Sequence, residues 1–147
     1  MEFCLESMVE EHLPQVMAIE RVAFSHPWSE RNFKDSLGSG AMGLMLTVNQ
    51  QGLGYTVFMP VIDELHILNF AIDPQHHRRG LGQRLISGVL ELAVSQHLKE
   101  IYLEVRESNH GARHLYDKVG FMEIGRRRGY YPLERGREDA VVMRKTL

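Results

Sequence analysis

The chain has 147 residues, which favours a single domain spanning residues 1–147 with one sizeable core. Its formal net charge of −2 at pH 7 gives no general attraction to nucleic acid or to an anionic membrane. The lone cysteine, Cys4, excludes an internal disulfide framework, indicates a reducing compartment and, between Phe3 and Leu5, is expected to be buried. The sequence shows no signal-peptide or membrane-span pattern, so a cytoplasmic protein is expected.

The first third of the chain predicts one strand and two helices. Alternation over residues 1–8 indicates a strand, and an apolar pattern of helical spacing begins near Leu13. The segment His26-Pro27-Trp28 ends this helix. Ser29 is then a good N-cap for a second, short helix, in which Phe33 has the spacing to form a hydrophobic staple with Trp28.

The middle of the chain predicts three strands and a long amphipathic helix. A turn over residues 49–52 makes the first two strands a hairpin. The third strand leads through a basic turn into Gly80-Leu81-Gly82, where the helix begins. The predicted strands are Met42–Val48, Leu53–Met59 and Leu65–Ile72.

This strand, glycine turn and helix have the arrangement of an anion site, because the N–H groups at a helix start are unpaired and the dipole is positive there. The two common nucleotide motifs do not fit. A dinucleotide fingerprint needs a third glycine at the position of Leu85, and a P-loop needs Lys-Ser/Thr where Gln83-Arg84 stand. The spacing therefore leaves two interpretations open, a pyrophosphate cradle of another kind or a turn that simply needs glycine.

The last third predicts a strand, a helix and two further strands. Residues 101–105 are rich in strand formers, and the following helix has Ser108 or Asn109 as its cap and ends at Gly120. Short strands follow over residues 121–124 and 140–143. The complete order, β α α β β β α β α β β, predicts an α/β or α+β sheet with helices packed on it.

Several polar side chains are candidates for chemistry, and each also has a structural interpretation. Glu104 lies in the apolar run IYLEV, either facing solvent beside Tyr102 or in a partly dry cleft suited to a general base. Tyr116 lies on an apolar helical stripe, as a core residue or a proton donor. Asn109 is most simply a helix cap. The residues alone favour the structural interpretation for all three.

The remaining candidates concern metals and recognition. His110 and His114 have i, i+4 spacing but lack the glutamate of an HExxH motif and a third ligand, so no metal site is predicted. The arginines at 126–128 are typical of a solvated strand end, and the alternative is that they hold an acidic partner or a phosphate. The pair Tyr130-Tyr131 is typical of an aromatic loop, which either forms a recognition surface or covers the edge of a core.

Taken together, these segments resemble the GNAT superfamily of acetyl-CoA-dependent N-acetyltransferases, over nearly the whole chain. The element order matches, and NFAIDPQHHRRGLGQRLI is similar to the family's cofactor motif. Four segments resemble more specifically the bacterial ribosomal-protein-alanine N-acetyltransferases. These are HPWSERNF, NFAIDPQHHRRGLG, IYLEVRESNHGARHLYDKVGF and GYYPLERGREDAVVM.

The resemblance implies a GNAT fold, a mixed and mostly antiparallel sheet with helices on both faces and a splayed strand pair that holds acetyl-CoA. It also implies three sets of cofactor-binding residues. Phe70, Ala71 and Ile72 would pair with pantetheine through their backbone, and Asn109 would lie beside the pantetheine arm. The residues around the pyrophosphate would be Arg78, Arg79, Gly80, Leu81, Gly82 and Gln83. One position departs from the motif. His77 stands where the superfamily normally has Gln or Arg, so weaker or pH-dependent cofactor binding is the most that we expect from it.

The resemblance also implies direct transfer of acetyl to a protein α-amine, with Glu104 as general base and Tyr116 as general acid. The implied acceptor is the N-terminal alanine of a small-subunit ribosomal protein, protein eighteen. The residues that would flank it are Pro27, Trp28, Tyr130 and Tyr131. Two alternatives stay open, an acetyltransferase with broader peptide, lysine or small-amine acceptors, and a catalytically silent acetyl-CoA-binding module.

Overall fold

The computed structural model describes residues 2–77 and 80–147, and this part of the chain forms seven strands and four helices. Ser29 caps the second helix as predicted, because its hydroxyl accepts a hydrogen bond from the Asn32 N–H at 3.1 Å. In chain order the elements are β1 (Phe3–Ser7), α1 (Leu13–Ala23), α2 (Glu30–Gly38), β2 (Met42–Val48), β3 (Gln51–Val61), β4 (Glu64–Ile72), α3 (Leu81–Ser95), β5 (Glu100–Arg106), α4 (His110–Lys118), β6 (Met122–Pro132) and β7 (Arg137–Thr146).

All seven strands join one sheet in the order β1-β2-β3-β4-β5-β7-β6. Every neighbouring pair is antiparallel except β4 and β5, which are connected through α3 and run parallel. The predicted mixed, mostly antiparallel sheet is therefore confirmed.

The sheet opens between β4 and β5. Their parallel pairing ends at Ile67 and Leu103, after which β4 pairs only with β3 and β5 only with β7. A β-bulge marks the same place. Val57 of β3 opposes Asn69 while Phe58 opposes Ile67, so Leu68 is an extra residue on β4. Bulges bend and twist a strand, which turns the end of β4 away from β5.

Two helices cover each face of the sheet. On one face, α3 and α4 bury a core that includes Ile86, Tyr116 and Phe58. On the other face, α1 and α2 bury a second core that includes Phe33 and Tyr55. Helices on both faces are as predicted. None of the helices in the described part of the chain is long and apolar enough to cross a membrane.

Three local predictions were wrong. The β2–β3 turn consists of Asn49 and Gln50 alone, whose positive φ angles of 50° and 67° suit a two-residue hairpin. Cys4 is exposed rather than buried. It lies on the edge strand β1 and alternates with Leu5, which packs towards Gly88 of α3, so Cys4 faces the side that α1 leaves uncovered.

The third error concerns the C-terminal hairpin, whose strands are far longer than the predicted segments 121–124 and 140–143. Tyr130 and Tyr131, predicted in a loop, belong to β6, and Tyr131 pairs with Glu138 of β7. The sequence does not show the length of β6 for a physical reason. β6 is an edge strand that is exposed along most of its length, so its sequence carries arginines in place of an apolar alternation.

Candidate active site

A cleft of about 580 Å³ lies where the sheet opens, between the end of β4 and the starts of α3 and α4. Eight of the ten residues predicted to bind the cofactor line it. They are Phe70, Ala71 and Ile72 of β4, residues 80–83 around the start of α3, and Asn109. The other two, Arg78 and Arg79, lie outside the described residues. Residues predicted from separate parts of the sequence thus meet at one cavity.

The glycine turn shapes the floor of this cleft. Gly80 is the N-cap of α3 with a φ of +72°, a left-handed conformation that favours glycine. Gly82 permits a close helix contact, because a Cβ there would lie 2.9 Å from Cδ2 of Leu115 in α4. The first N–H groups of α3 lack helical partners and stand at the positive end of its dipole, so they are available to an anion.

His77 and Asn109 both make contacts at the rim of the cleft. The Nε2 atom of His77 lies 3.1 Å from the Ile72 carbonyl oxygen and donates to it, which ties the basic turn to the end of β4. Oδ1 of Asn109 accepts a hydrogen bond from the Ala112 N–H at 3.2 Å. The capping interpretation of Asn109 is therefore correct, and its side-chain amide group still borders the cleft.

Glu104 lies on β5 just beyond the point where the strands separate. Burial alternates along this strand as predicted, with Leu103 and Val105 in the core and Glu104 on the opposite face. The Glu104 side chain is 26% exposed, and its Oε1 atom lies 2.6 Å from Nε of Arg127 on β6. The carboxylate is thus half-buried and ion-paired across the intervening strand β7.

Tyr116 is a core residue that also touches the cleft wall. Its ring is 4% exposed and packs edge-on against Phe70, which lines the cleft, with ring centroids 5.7 Å apart. Burial raises the pKa of Tyr116 well above its ordinary value, and the nearby Tyr131 adds to the shift. Its hydroxyl therefore stays protonated over the whole neutral range.

The residues predicted to flank an acceptor lie in two separate segments. Pro27 is exposed, and the half-buried Trp28 packs on Phe33 with ring centroids 4.9 Å apart. Tyr130 and Tyr131 on β6 contact each other edge-to-face at 5.0 Å. Burial, assisted by the charge of Glu104, raises the pKa of Tyr131 to about 12. Tyr131 therefore lies close enough to Glu104 to interact with its charge.

Several residues around the site were not predicted to belong to it, among them Arg127, Ala23, Phe24 and Glu20. Arg127 is the ion-pair partner of Glu104, and Ala23 and Phe24, at the end of α1, line the cleft opposite β4. Glu20 of α1 is fully buried and binds three donors. A signal for Glu20 exists in the sequence, because it lies on the same helical stripe as Val16 and Phe24, where an apolar residue is expected.

Comparison with known proteins gives a consistent result. Residues 13–121 match the model of the Acetyltransferase (GNAT) family. A curated relative from Escherichia coli, named [ribosomal protein bS18]-alanine N-acetyltransferase, is 36% identical over 139 residues, which are 95% of this chain and 94% of that protein. A relative of the same name from Haemophilus influenzae is 39% identical over 126 residues, or 85% of this chain and 86% of that one.

A solved structure extends the similarity to three dimensions. The crystal structure of the ribosomal-protein-S18-alanine N-acetyltransferase from Escherichia coli superposes with a TM-score of 0.93 at 34% sequence identity. The superposition covers 99% of this chain and 94% of that one. This chain therefore shares its overall fold with that protein over nearly its whole length.

Proposed function

This chain belongs to the GNAT family of acetyltransferases, and we propose that it transfers an acetyl group from acetyl-CoA to the N-terminal alanine of ribosomal protein bS18. The family uses acetyl-CoA as its acetyl donor. The observation that carries the donor half of the proposal is the cleft at the β4–β5 opening. The acceptor half is supported by relatives of that name, which match this chain over most of its length.

The cleft fits the chemistry of coenzyme A. Beyond Ile67, the backbone edge of β4 that faces β5 has lost its strand partner, so its N–H and C=O groups are available to the amide-bearing pantetheine arm. The glycine turn and the first turn of α3 offer N–H groups to the pyrophosphate. Arg78 and Arg79 add positive charge in the sequence next to that turn.

Glu104 is the proposed general base. An α-amine has a reference pKa of about 7.7–8.0, so removing its proton at neutral pH costs only about 1 kcal/mol. The half-buried carboxylate accepts this proton, directly or through a water, once the amine has replaced Arg127 beside it. The amine then attacks the thioester carbonyl, and a backbone N–H near Ile72 stabilises the developing oxyanion.

Tyr116 is the proposed general acid. Its hydroxyl is protonated at neutral pH, so it can donate a hydrogen bond to the thiolate as the carbon–sulfur bond breaks. Because burial raises the pKa of the hydroxyl, a proton that it gives to the thiolate is replaced by the one that the attacking nitrogen loses as the amide forms. Its ring packs on Phe70, and this contact holds it beside the strand that would bind pantetheine. The core position and the catalytic role are compatible, because packing of the ring fixes the direction of the hydroxyl.

The acceptor would lie between the two aromatic segments, Pro27-Trp28 and Tyr130-Tyr131. A cytoplasmic location is part of the proposal, since a ribosomal protein is the acceptor. The test uses purified protein, acetyl-CoA and a peptide with the N-terminal sequence of bS18, followed by mass spectrometry. Variants of the peptide begin with Met, Ser or Gly in place of Ala, and one copy is N-terminally formylated to block the α-amine.

We expect acetylation of the alanine peptide and none of its formylated copy. Equal rates with every first residue would replace the bS18 acceptor by a broad peptide acceptor. Acetylation of the formylated copy would indicate a lysine acceptor. Binding of acetyl-CoA without turnover of any peptide would favour a silent acetyl-CoA-binding module over an enzyme.

A further inference from the structure

Glu20 is a buried carboxylate that binds three different segments of the fold. Its side chain lies in the core between α1 and the sheet, and the residue is 1% exposed. Its Oε1 atom accepts hydrogen bonds from the Tyr55 hydroxyl at 2.7 Å and from Nδ2 of Asn69 at 3.0 Å. Its Oε2 atom accepts from the backbone N–H of Trp28 at 2.9 Å.

A carboxylate in this position is costly unless its oxygens are satisfied by donors. Here they are, and burial together with the Glu20 charge raises the pKa of Tyr55, so that its hydroxyl remains a donor. A simple core position on this stripe of α1 would need only an apolar side chain. The role of this carboxylate therefore lies in the segments of the fold that it connects.

The two oxygens of Glu20 hold opposite sides of the proposed active site. Oε1 holds the donor side, because Asn69 follows the bulge at which β4 leaves β5 and immediately precedes Phe70. Oε2 holds the acceptor side, because Trp28 ends the segment of residues 24–28, which leads from α1 to Ser29, the N-cap of α2. Phe24, at the other end of that segment, lines the cleft.

We propose that Glu20 is a positioning residue that fixes the segment of residues 24–28 against β4, and thereby the acceptor amine relative to the acetyl donor. The inference rests on the proposed function, in which Pro27 and Trp28 flank the acceptor. Glu20 itself touches neither substrate. Loss of the Oε2 contact alone is expected to weaken acceptor binding, while the Oε1 contacts keep the end of β4 in place.

The variant Glu20→Gln can keep the Oε1 contacts while it removes the Oε2 contact. Its amide oxygen can replace Oε1 and still accept from Tyr55 and Asn69, but its NH₂ group then faces the Trp28 N–H, donor against donor. The matched control is Tyr55→Phe, which removes a donor from Oε1, keeps the ring packed on Phe33 and leaves the Trp28 contact intact. Trp28 is the only tryptophan in the chain, so intrinsic fluorescence reports on this segment alone.

For Glu20→Gln we expect the KM of the bS18 peptide to rise about tenfold, the cost of one partly buried N–H left unpaired, with the KM of acetyl-CoA within about twofold of wild type. Its Trp28 emission should shift to the red and become more accessible to acrylamide. Tyr55→Phe should retain the wild-type peptide KM and emission. In the wild-type protein, saturating peptide should itself change the Trp28 emission.

If Glu20→Gln keeps both the peptide KM and the emission of wild type, the inference is wrong. It is equally wrong if Tyr55→Phe raises the peptide KM as much, because a general loss of core packing would then be the cause. If Glu20→Gln does not fold, the wild-type titration decides, and an unchanged Trp28 emission at saturating peptide overturns the inference. A wild-type protein that acetylates no peptide would instead overturn the proposed function itself.

Discussion

The guanidinium of Arg127 lies 2.6 Å, Nε to Oε1, from the carboxylate of Glu104. The two residues belong to β6 and β5, which are separated in the sheet by β7. Arg127 is 59% exposed and also lies over the Tyr130 ring, with 5.6 Å between its guanidinium carbon and the ring centroid. The positive group thus occupies the position beside Glu104 that a positively charged acceptor amine would need.

Replacing Arg127 by Gln is expected to help the acceptor bind. An exposed ion pair of this kind is worth at most about 1 kcal/mol, so removing the competing guanidinium should lower the peptide KM by up to about fivefold. Folding stability should hardly change. Steady-state kinetics with the bS18 peptide at low and at high salt will check this. Salt weakens the ion pair of Arg127 with Glu104 in the wild-type protein, so the difference in KM between variant and wild type should be smaller at high salt.

Arg128→Gln is the charge-matched control, since Arg128 is an exposed neighbour on the same strand. It should leave the peptide KM at the wild-type value. A rise in KM with Arg127→Gln would contradict the competition and would make Arg127 part of the acceptor site.

Glu104→Gln is expected to lower kcat by about 10²–10⁴-fold at pH 7, the usual contribution of a general base. The deficit should shrink above pH 8, because the α-amine then loses its proton to solvent without help. Glu100→Gln is the matched control, on the same face of β5 and also ion-paired, to Arg144 at 3.3 Å. If Glu104→Gln retained wild-type kcat at pH 7, Glu104 would not be the base.

The donor half of the site could be predicted from sequence because its signals are local. The strand, the glycine turn and the amphipathic helix are contiguous, and the alternation in IYLEV places Glu104 opposite Leu103 and Val105. The end of β4 and the start of α3 meet at one cleft because they are contiguous in the chain, whereas Glu104 does not line that cleft. The bulge at Leu68, which opens the sheet, has no such signal, since one extra residue in an apolar strand leaves the composition unchanged.

The acceptor half was less predictable because its contacts are long-range. Arg127 and Glu104 are brought together only by the order of β5, β7 and β6 in the sheet. The helical stripe marks Glu20 as a polar residue at an apolar position, but its partners Tyr55 and Asn69 lie 35 and 49 residues away in the sequence. Each of these pairs depends on tertiary packing, which neither periodicity nor capping residues encode.

The raised pKa of Tyr116 makes a prediction about stability at alkaline pH. The unfolded state releases this proton near pH 10 whereas the folded state retains it, so the unfolded state binds fewer protons and stability falls as pH rises above 10. Tyr116→Phe should reduce the slope of the free energy of unfolding against pH, between pH 10 and 11, by about 1 kcal/mol per unit, because the unfolded tyrosine is only partly ionised in this range. Urea titrations at several pH values measure this slope.

Tyr130→Phe is the control for that experiment, because Tyr130 is 47% exposed. It should keep the wild-type slope. An identical slope in wild type and Tyr116→Phe would mean that the Tyr116 hydroxyl reaches water readily, and the hydroxyl would then not be held protonated by burial.

Gly82→Ala tests the contact that shapes the donor cleft. The added methyl would lie 2.9 Å from Cδ2 of Leu115, the flexible end of a side chain that lines the cleft. Leu115 can yield, and alanine favours the helix, so we expect a change of less than about 1 kcal/mol in stability. The displaced side chain should nevertheless raise the KM of acetyl-CoA by at least about tenfold, as a methyl-sized change in a binding pocket does.

The double variant Gly82→Ala/Leu115→Ala separates this contact from a direct effect of the methyl group. Because the collision is absent in the double variant, its loss of acetyl-CoA affinity should be smaller than the sum of the two single losses. Gly38→Ala is the control for helix propensity, since a Cβ there meets no atom within 4 Å and Gly38 ends α2. Strictly additive losses at 82 and 115 would show that the new methyl group obstructs the donor itself, without involving Leu115.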